Sequence, residues 1–157
     1  MKIKKLFENW GMTGLKLNAG FMEMEWQPQD KDRDAAWELY VELLTRTATQ
    51  QLPDDSGLES SALHSVYSLF DITRNILKHY GRDSIQFAKV AIIVLNQVIR
   101  PFTSHWHKMA EQGAFDDTEQ CKQFREQLIS LQEQLTKYMG MLAEIANIEE
   151  ISSITSP

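Results

Sequence analysis

An apolar residue recurs every three or four positions along the last third of the chain, without a break for eight positions. These positions are Cys121, Phe124, Leu128, Leu131, Leu135, Tyr138, Leu142 and Ile145. A period near 3.5 residues places all eight side chains on one face of a single helix. The pattern predicts a long helix from about Asp117 to Asn147, packed either within its own bundle or against a second copy of the chain.

Residues that interrupt helices are few in the rest of the chain. Only 7 Gly and 4 Pro occur in 157 residues, and most of them lie near 11–14, 53–57, 81 and 113. A sandwich or barrel would need a turn about every 8–12 residues, with Gly and Pro to form it. We therefore predict an all-α fold, a four-helix bundle of up-down order in one domain.

The chain divides into three predicted parts: an N-terminal arm over 1–29, a helical bundle over 30–147 and a flexible tail over 148–157. The arm begins with a basic segment in which Ile3, Leu6, Phe7 and Trp10 share one helical face. This short amphipathic helix would dock on its own bundle, on a partner or on a membrane surface. Alternating apolar residues over 15–26 predict a short strand or extended arm.

Two helices are predicted in the first half of the bundle. The acidic residues Asp30, Asp32 and Asp34 suit a helix N-terminus, whereas the Gly and Glu of a calcium loop are absent from the pattern. The second helix runs from about Leu58 to Tyr80 and stops at Gly81. The predicted inward-facing residues are Trp37, Tyr40, Val41, Leu44 and Ala48 in the first, and Leu63, Val66, Tyr67, Phe70, Thr73, Leu77 and Tyr80 in the second.

The third helix carries two apolar stripes and a proline. One stripe continues through Pro101 and consists of Ile85, Ala88, Ile92, Leu95, Ile99, Phe102, Trp106 and Met109. The other consists of Phe87, Ala91, Val94 and Val98, which makes 87–98 apolar almost all round. Because proline lacks an N–H and its ring crowds the preceding turn, we expect this helix to bend at Pro101.

A polar stripe follows the same helix beside the proline. Asn96, Arg100, Thr103 and His107 are spaced by four, three and four residues and so share one face. Asn96 lies in the most apolar segment, where a buried amide needs partners. The stripe predicts either a ligand- or partner-binding site, suited to an anion or a nucleotide, or a polar network that joins this helix to its neighbours.

The six residues Arg74-Asn75-Ile-Leu-Lys-His79 resemble the R-N-x-x-x-H motif of HEPN-type ribonucleases, which are small four-helix domains. The resemblance implies RNA cleavage without a metal, at a dimer interface. Arg74 would bind the phosphate, Asn75 would orient it and His79 would act as acid or base. Arg100 and His105 have the same spacing, so the Arg–His pair alone is not specific.

Composition argues against several other classes of protein. The net charge of −6 and pI near 5.2 argue against binding to duplex nucleic acid, whose partners are basic. A single Cys forms no internal disulfide, and no His, Cys or carboxylate cluster has metal-ligand spacing, so we expect no metal and no cofactor. No signal peptide is evident, and the longest uninterrupted apolar run is six residues, which predicts a cytoplasmic protein.

The sequence thus favours a non-enzymatic helical-bundle protein that binds a protein partner or a second copy of itself. It would be an accessory or adaptor subunit of a bacterial complex, or a homodimeric sensor. A metal-independent ribonuclease that uses Arg74 and His79 is the alternative, and RNA would be a partner only in that case. Peripheral membrane attachment through residues 1–10 is a weaker alternative, because a helix of about ten residues binds a membrane poorly alone.

Overall fold

A computed structural model of the chain describes residues 1–46, 49, 52 and 58–148. About 81% of these residues are helical and none of them lies in a strand, which confirms the all-α class. The α-helices are α1 (Ile3–Asn9), α2 (Ala19–Met22), α3 (Asp30–Leu44), α4 (Glu59–Tyr80), α5 (Ile85–Val94), α6 (Arg100–Glu111) and α7 (Thr118–Ala146). Most of the loop predicted near 52–57 and of the tail predicted over 148–157 lies outside the described residues.

The long helix α7 is a central element of the core, since all residues over 138–143 are buried and this part of the helix is covered on every side. It packs along α3, which also contacts α4 and α5, while α6 contacts both α4 and α7. Seven of the eight predicted apolar positions on α7 are buried, and Cys121 is partly exposed. Because this stripe is covered within a single chain, it needs no second copy to bury it.

A buried carboxylate ties the start of α3 to the start of α5. The side chain of Asp32 is fully buried. Its Oδ2 accepts the backbone N–H of Gln29 at 2.7 Å, and its Oδ1 accepts the backbone N–H of Phe87 at 2.8 Å. The first N–H groups of a helix lack partners within the helix, so Asp32 satisfies an unpaired donor at each of two helix ends.

The predicted inward faces of α3 and α4 are wrong at three aromatic or branched positions. Trp37, Val41 and Tyr67 are 44%, 37% and 47% exposed. The spacing of large apolar residues predicts that these side chains face the core. Instead, fully buried alanines occupy much of the inward face of α3 and α4. Those alanines are Ala35, Ala36 and Ala62.

A π-helical turn over Leu95–Ile99 separates α5 from α6. In α5 the buried side chains are Phe87, Val90, Ala91 and Val94. Within the turn they are Leu95 and Ile99, and in α6 they are Phe102, Thr103 and Trp106. A π turn holds an extra residue, so the buried face moves from one predicted stripe to the other. The prediction of one unbroken inward stripe is therefore wrong for Ile85 and Ile92, which are 51% and 47% exposed.

Of the two predictions for 15–26, a strand or an extended arm, the strand is wrong, since none of these residues lies in a strand. This segment contains the short helix α2, whose first turn is capped by Asn18: its Oδ1 accepts the N–H of Phe21 at 2.7 Å. Within the described residues the only strand-like pairing is an isolated bridge between Lys2 and Glu25. The local Asn cap outweighs the alternating pattern, because Asn and Asp offer the backbone hydrogen bonds that compete with strand formation.

One helical stretch, Glu59–Glu111, meets a length and composition criterion for crossing a membrane, with a mean hydropathy of 1.3 over 18 residues. The uninterrupted apolar runs alone predict no membrane-spanning helix. Within the protein, 44% of that window is buried. The central helix of a soluble protein meets the same criterion, so this stretch does not indicate a location.

Candidate functional site

The polar stripe beside Pro101 does not close into a pocket. Asn96 and Arg100 are exposed, His107 is partly buried and Thr103 is buried. The hydroxyl of Thr103 donates within its own helix, to the carbonyl oxygen of Arg100 at 3.2 Å. The predicted burial of Asn96 is wrong, because the π turn rotates this side chain away from the core.

Arg100 is held in place by two neighbours. Its Nε donates to Oδ1 of Asn96 at 3.1 Å, and its Cζ lies 4.7 Å from the centre of the Phe70 ring. Four other arginines pair with a carboxylate: Arg33, Arg46, Arg74 and Arg125. Among the described residues no carboxylate lies within 4.0 Å of the Arg100 guanidinium. Its charge is therefore positioned on an aromatic ring but not neutralised nearby.

Tyr67 and His107 extend the surface around Arg100. Their rings lie 4.8 Å apart in an edge-to-face arrangement, and Tyr67 lies 5.8 Å from the Phe70 ring. Contacts thus connect residues of α4, of the π turn and of α6, and we name this set the Arg100 face: Tyr67, Phe70, Asn96, Arg100 and His107. Phe70 is its buried floor. Sequence reasoning missed Tyr67 as a surface residue, since its spacing matched the core.

The residues of the ribonuclease-like motif lie on the exposed side of α4. Asn75 and His79 line a groove of about 520 Å³, whose other wall includes Trp37 and Val41 of α3. Arg74 does not line this groove, and its Nη2 contacts Oδ1 of Asp71 at 2.5 Å. The structure therefore brings two of the three motif residues together.

The groove also contains a carboxylate that is engaged with a tyrosine. The hydroxyl of Tyr80 donates to Oε1 of Glu38, a groove residue, at 2.5 Å. This hydrogen bond, together with burial, raises the pKa of Tyr80 to about 12. Tyr80 therefore stays protonated at neutral pH and is not available as a base. His79 is the residue of the motif that brings an imidazole to the groove.

The apolar face of α1 packs on the protein's own core. Ile3, Leu6 and Phe7 are buried, and Trp10 is partly buried. Membrane attachment through this face would require the helix to leave the core. The indole Nε1 of Trp10 also donates to Oε2 of Glu144 at 3.3 Å, which links the arm to α7.

Gly140 on α7 lies directly beneath Trp10. A Cβ atom added at Gly140 would lie 2.4 Å from Cζ3 and 2.7 Å from Cε3 of the indole ring. The ring therefore packs against bare backbone in the C-terminal third of a 29-residue helix. The sequence signal for this contact is a single glycine in an otherwise regular helical pattern.

Pro101 lines a cleft of about 580 Å³ that none of the polar-stripe residues reaches. One wall is the loop Thr13–Leu15 of the N-terminal arm, the second is the α5–α6 junction and the third is α7. At the junction, the side chain of Gln97 forms two hydrogen bonds with the backbone of Lys16. Its Oε1 accepts the N–H at 2.7 Å, and its Nε2 donates to the carbonyl oxygen at 2.8 Å. The π turn therefore fixes the arm in place along this cleft.

The described residues contain no group of three or more His, Cys, Asp or Glu side chains placed to hold a metal ion. The Cys121 thiol donates to the carbonyl oxygen of Phe115 at 3.2 Å, and burial raises the pKa of this thiol. A raised pKa lowers the thiolate fraction and hence the reactivity of the cysteine.

Proposed site residues thus fall into three places: the Arg100 face, the groove beside His79 and the cleft beside Pro101. No family model, no curated protein and no solved structure matches this chain.

Proposed function

We propose that this protein is a non-enzymatic binding protein, an accessory or adaptor subunit or a homodimeric sensor, whose partner docks on the Arg100 face. The observation that carries the proposal is the exposed guanidinium of Arg100, held over Phe70 without a carboxylate within 4.0 Å among the described residues. The proposal also takes α3, α4, the α5–α6 pair and α7 as an up-down bundle with a bend at Pro101.

The chemistry of this face indicates what the partner presents. Asn96 occupies Nε of Arg100, which leaves the two Nη groups to donate to a carboxylate. Tyr67 is 47% exposed beside it and offers an apolar ring with a hydroxyl. Tyrosine and arginine are the residue types that most often carry binding energy at protein interfaces. We expect the partner to place an acidic side chain next to an apolar one.

Site-specific photo-crosslinking tests the proposal. A benzophenone side chain at Tyr67 is expected to form an adduct of defined mass in the source cells. The same group at Ile129, which is 57% exposed on α7, is the control. An adduct of twice the chain mass identifies the homodimer, and a different protein identifies the subunit that this chain accompanies. Equal or absent labelling at the two positions contradicts docking on the Arg100 face.

The metal-independent ribonuclease is the second candidate. Asn75 and His79 line one groove with Trp37, whose exposed indole offers a surface on which a base can stack. If this candidate holds, purified protein cleaves RNA in EDTA, and His79→Ala lowers the rate by about 100-fold or more, as loss of a general acid or base does. The variant His64→Ala, an exposed histidine elsewhere on α4, keeps full activity. An absence of cleavage by the wild-type protein eliminates this candidate.

A further inference from the structure

The cleft beside Pro101 is a second site, independent of the Arg100 face. We propose that it binds a small uncharged molecule, a flat ring that carries a carboxamide group. The cleft volume of about 580 Å³ lies within the usual range for small-molecule sites, about 300–1,000 Å³.

The cleft lining contains one histidine, His105, and, in the described part of the chain, no residue of the four types that are charged at neutral pH. Among the described residues that line it, twelve in number, none is Asp, Glu, Lys or Arg. At the 24% charged content of the whole chain, about three of twelve would be expected. A bound ion would lose part of its hydration here without gaining an opposite charge, which is unfavourable. An uncharged ligand does not meet this cost.

Side-chain amides supply the polar part of the cleft. Oε1 of Gln127 accepts the indole N–H of Trp106 at 2.9 Å, which fixes the orientation of that amide and leaves its Nε2 to donate to a ligand. Ser130 and Gln134 lie three and seven residues further on, on the same face of α7. Gln127 thus offers a donor, and Gln134 offers both a donor and an acceptor, so a carboxamide matches these groups in both directions.

The apolar part of the cleft suits a ring. Val98, Pro101 and Phe102 contribute from the α5–α6 junction, and Leu131 contributes from α7. The opposite wall, with Leu15, is anchored by the two hydrogen bonds between Gln97 and Lys16. Because the arm is already fixed, the ligand need not order it, and little binding energy is lost to closure.

Three probes of nearly equal shape test whether the cleft prefers an uncharged ligand: benzamide is neutral, benzoate is negative and benzamidine is positive. NMR shifts of the Gln127 and Gln134 side-chain amides are expected to saturate with benzamide at a Kd of about 1 mM, as for a fragment of this size. Both charged probes are expected to bind at least about tenfold more weakly. Equal or stronger binding of either charged probe, or no shift with benzamide, overturns the proposal.

A matched substitution checks that the binding site is the cleft. Gln134→Glu adds one negative charge at nearly constant shape, so the preference should change from benzamide to benzamidine, by about tenfold or more. Gln123→Glu adds the same charge on α7 at an exposed residue outside the cleft and should leave the order of the probes unchanged. If both variants behave alike, the probes bind elsewhere and the assignment is wrong. None of these measurements involves the Arg100 face. A negative result here therefore rules out the ligand of the cleft and does not affect the proposal that a partner docks on the Arg100 face.

Discussion

Replacement of Asp32 with alanine is expected to lower the free energy of unfolding by about 3 kcal/mol. The substitution leaves the buried N–H group of Phe87 and the partly buried N–H group of Gln29 without their acceptor. A hydrogen bond to a charged group contributes about 1.5–3 kcal/mol, and the loss at Gln29 is at the lower end because water can reach that donor. For a chain of this size the melting temperature should fall by roughly 6–12 °C. Chemical denaturation and calorimetry measure both quantities.

Asp30→Ala is the control for this prediction. Asp30 belongs to the same acidic run, but its side chain is 99% exposed and its contact with Arg33, at 3.6 Å, lies on the surface. Its removal should change stability by about 0.5 kcal/mol or less. A similar loss in both variants would mean that the acidic run acts through general helix electrostatics and not through the two hydrogen bonds of Asp32.

Gly140→Ala is expected to destabilise the protein, although alanine normally stabilises a helix interior by about 1 kcal/mol relative to glycine. The new Cβ would lie 2.4 Å from the Trp10 ring, so the ring and the arm must move. Overpacking of this kind costs about 1–3 kcal/mol. We expect a lower free energy of unfolding and faster amide hydrogen exchange in α1.

The same substitution in a Trp10→Ala background reverses the sign. Trp10→Ala removes the three atoms that lie nearest to the new Cβ, and the general preference of helices for alanine returns as a gain of about 1 kcal/mol. The double-mutant cycle therefore measures the Trp10–Gly140 contact directly. A destabilising Gly140→Ala in both backgrounds would place the strain somewhere other than under Trp10.

The sequence predicts those parts of the fold that depend on regular local patterns. The α7 stripe keeps one register over eight positions, so both the helix and its buried face follow from the spacing. Gly81 ends α4 as predicted, since it adopts φ 66°, a conformation that other residues rarely take. By contrast, segment 87–98 is apolar nearly all round, so the pattern fits either stripe and cannot reveal the extra residue of the π turn over Leu95–Ile99.

The Arg100 face was only half predictable for a similar reason. Helical spacing places Asn96 and Arg100 four residues apart on one side, and the structure joins them by a hydrogen bond. Tyr67 and Phe70 come from α4, and their approach to α6 depends on how two distant helices pack, which no local pattern encodes. The contact of Trp10 with Gly140 likewise joins residues far apart in the chain.

We propose that Arg100 recognises a protein partner and is not merely structural. The most direct test is the Kd of the protein identified by the Tyr67 adduct, measured by titration against wild type, Arg100→Lys and Arg100→Ala. We expect Arg100→Ala to weaken binding about 30-fold, which corresponds to about 2 kcal/mol. The Kd of Arg100→Lys should lie between those of wild type and Arg100→Ala, because lysine keeps the positive charge but lacks the planar fork of donors. The melting temperature should change by no more than about 2 °C. An unchanged Kd, or a loss of binding that follows an equal loss of stability, would contradict the claim.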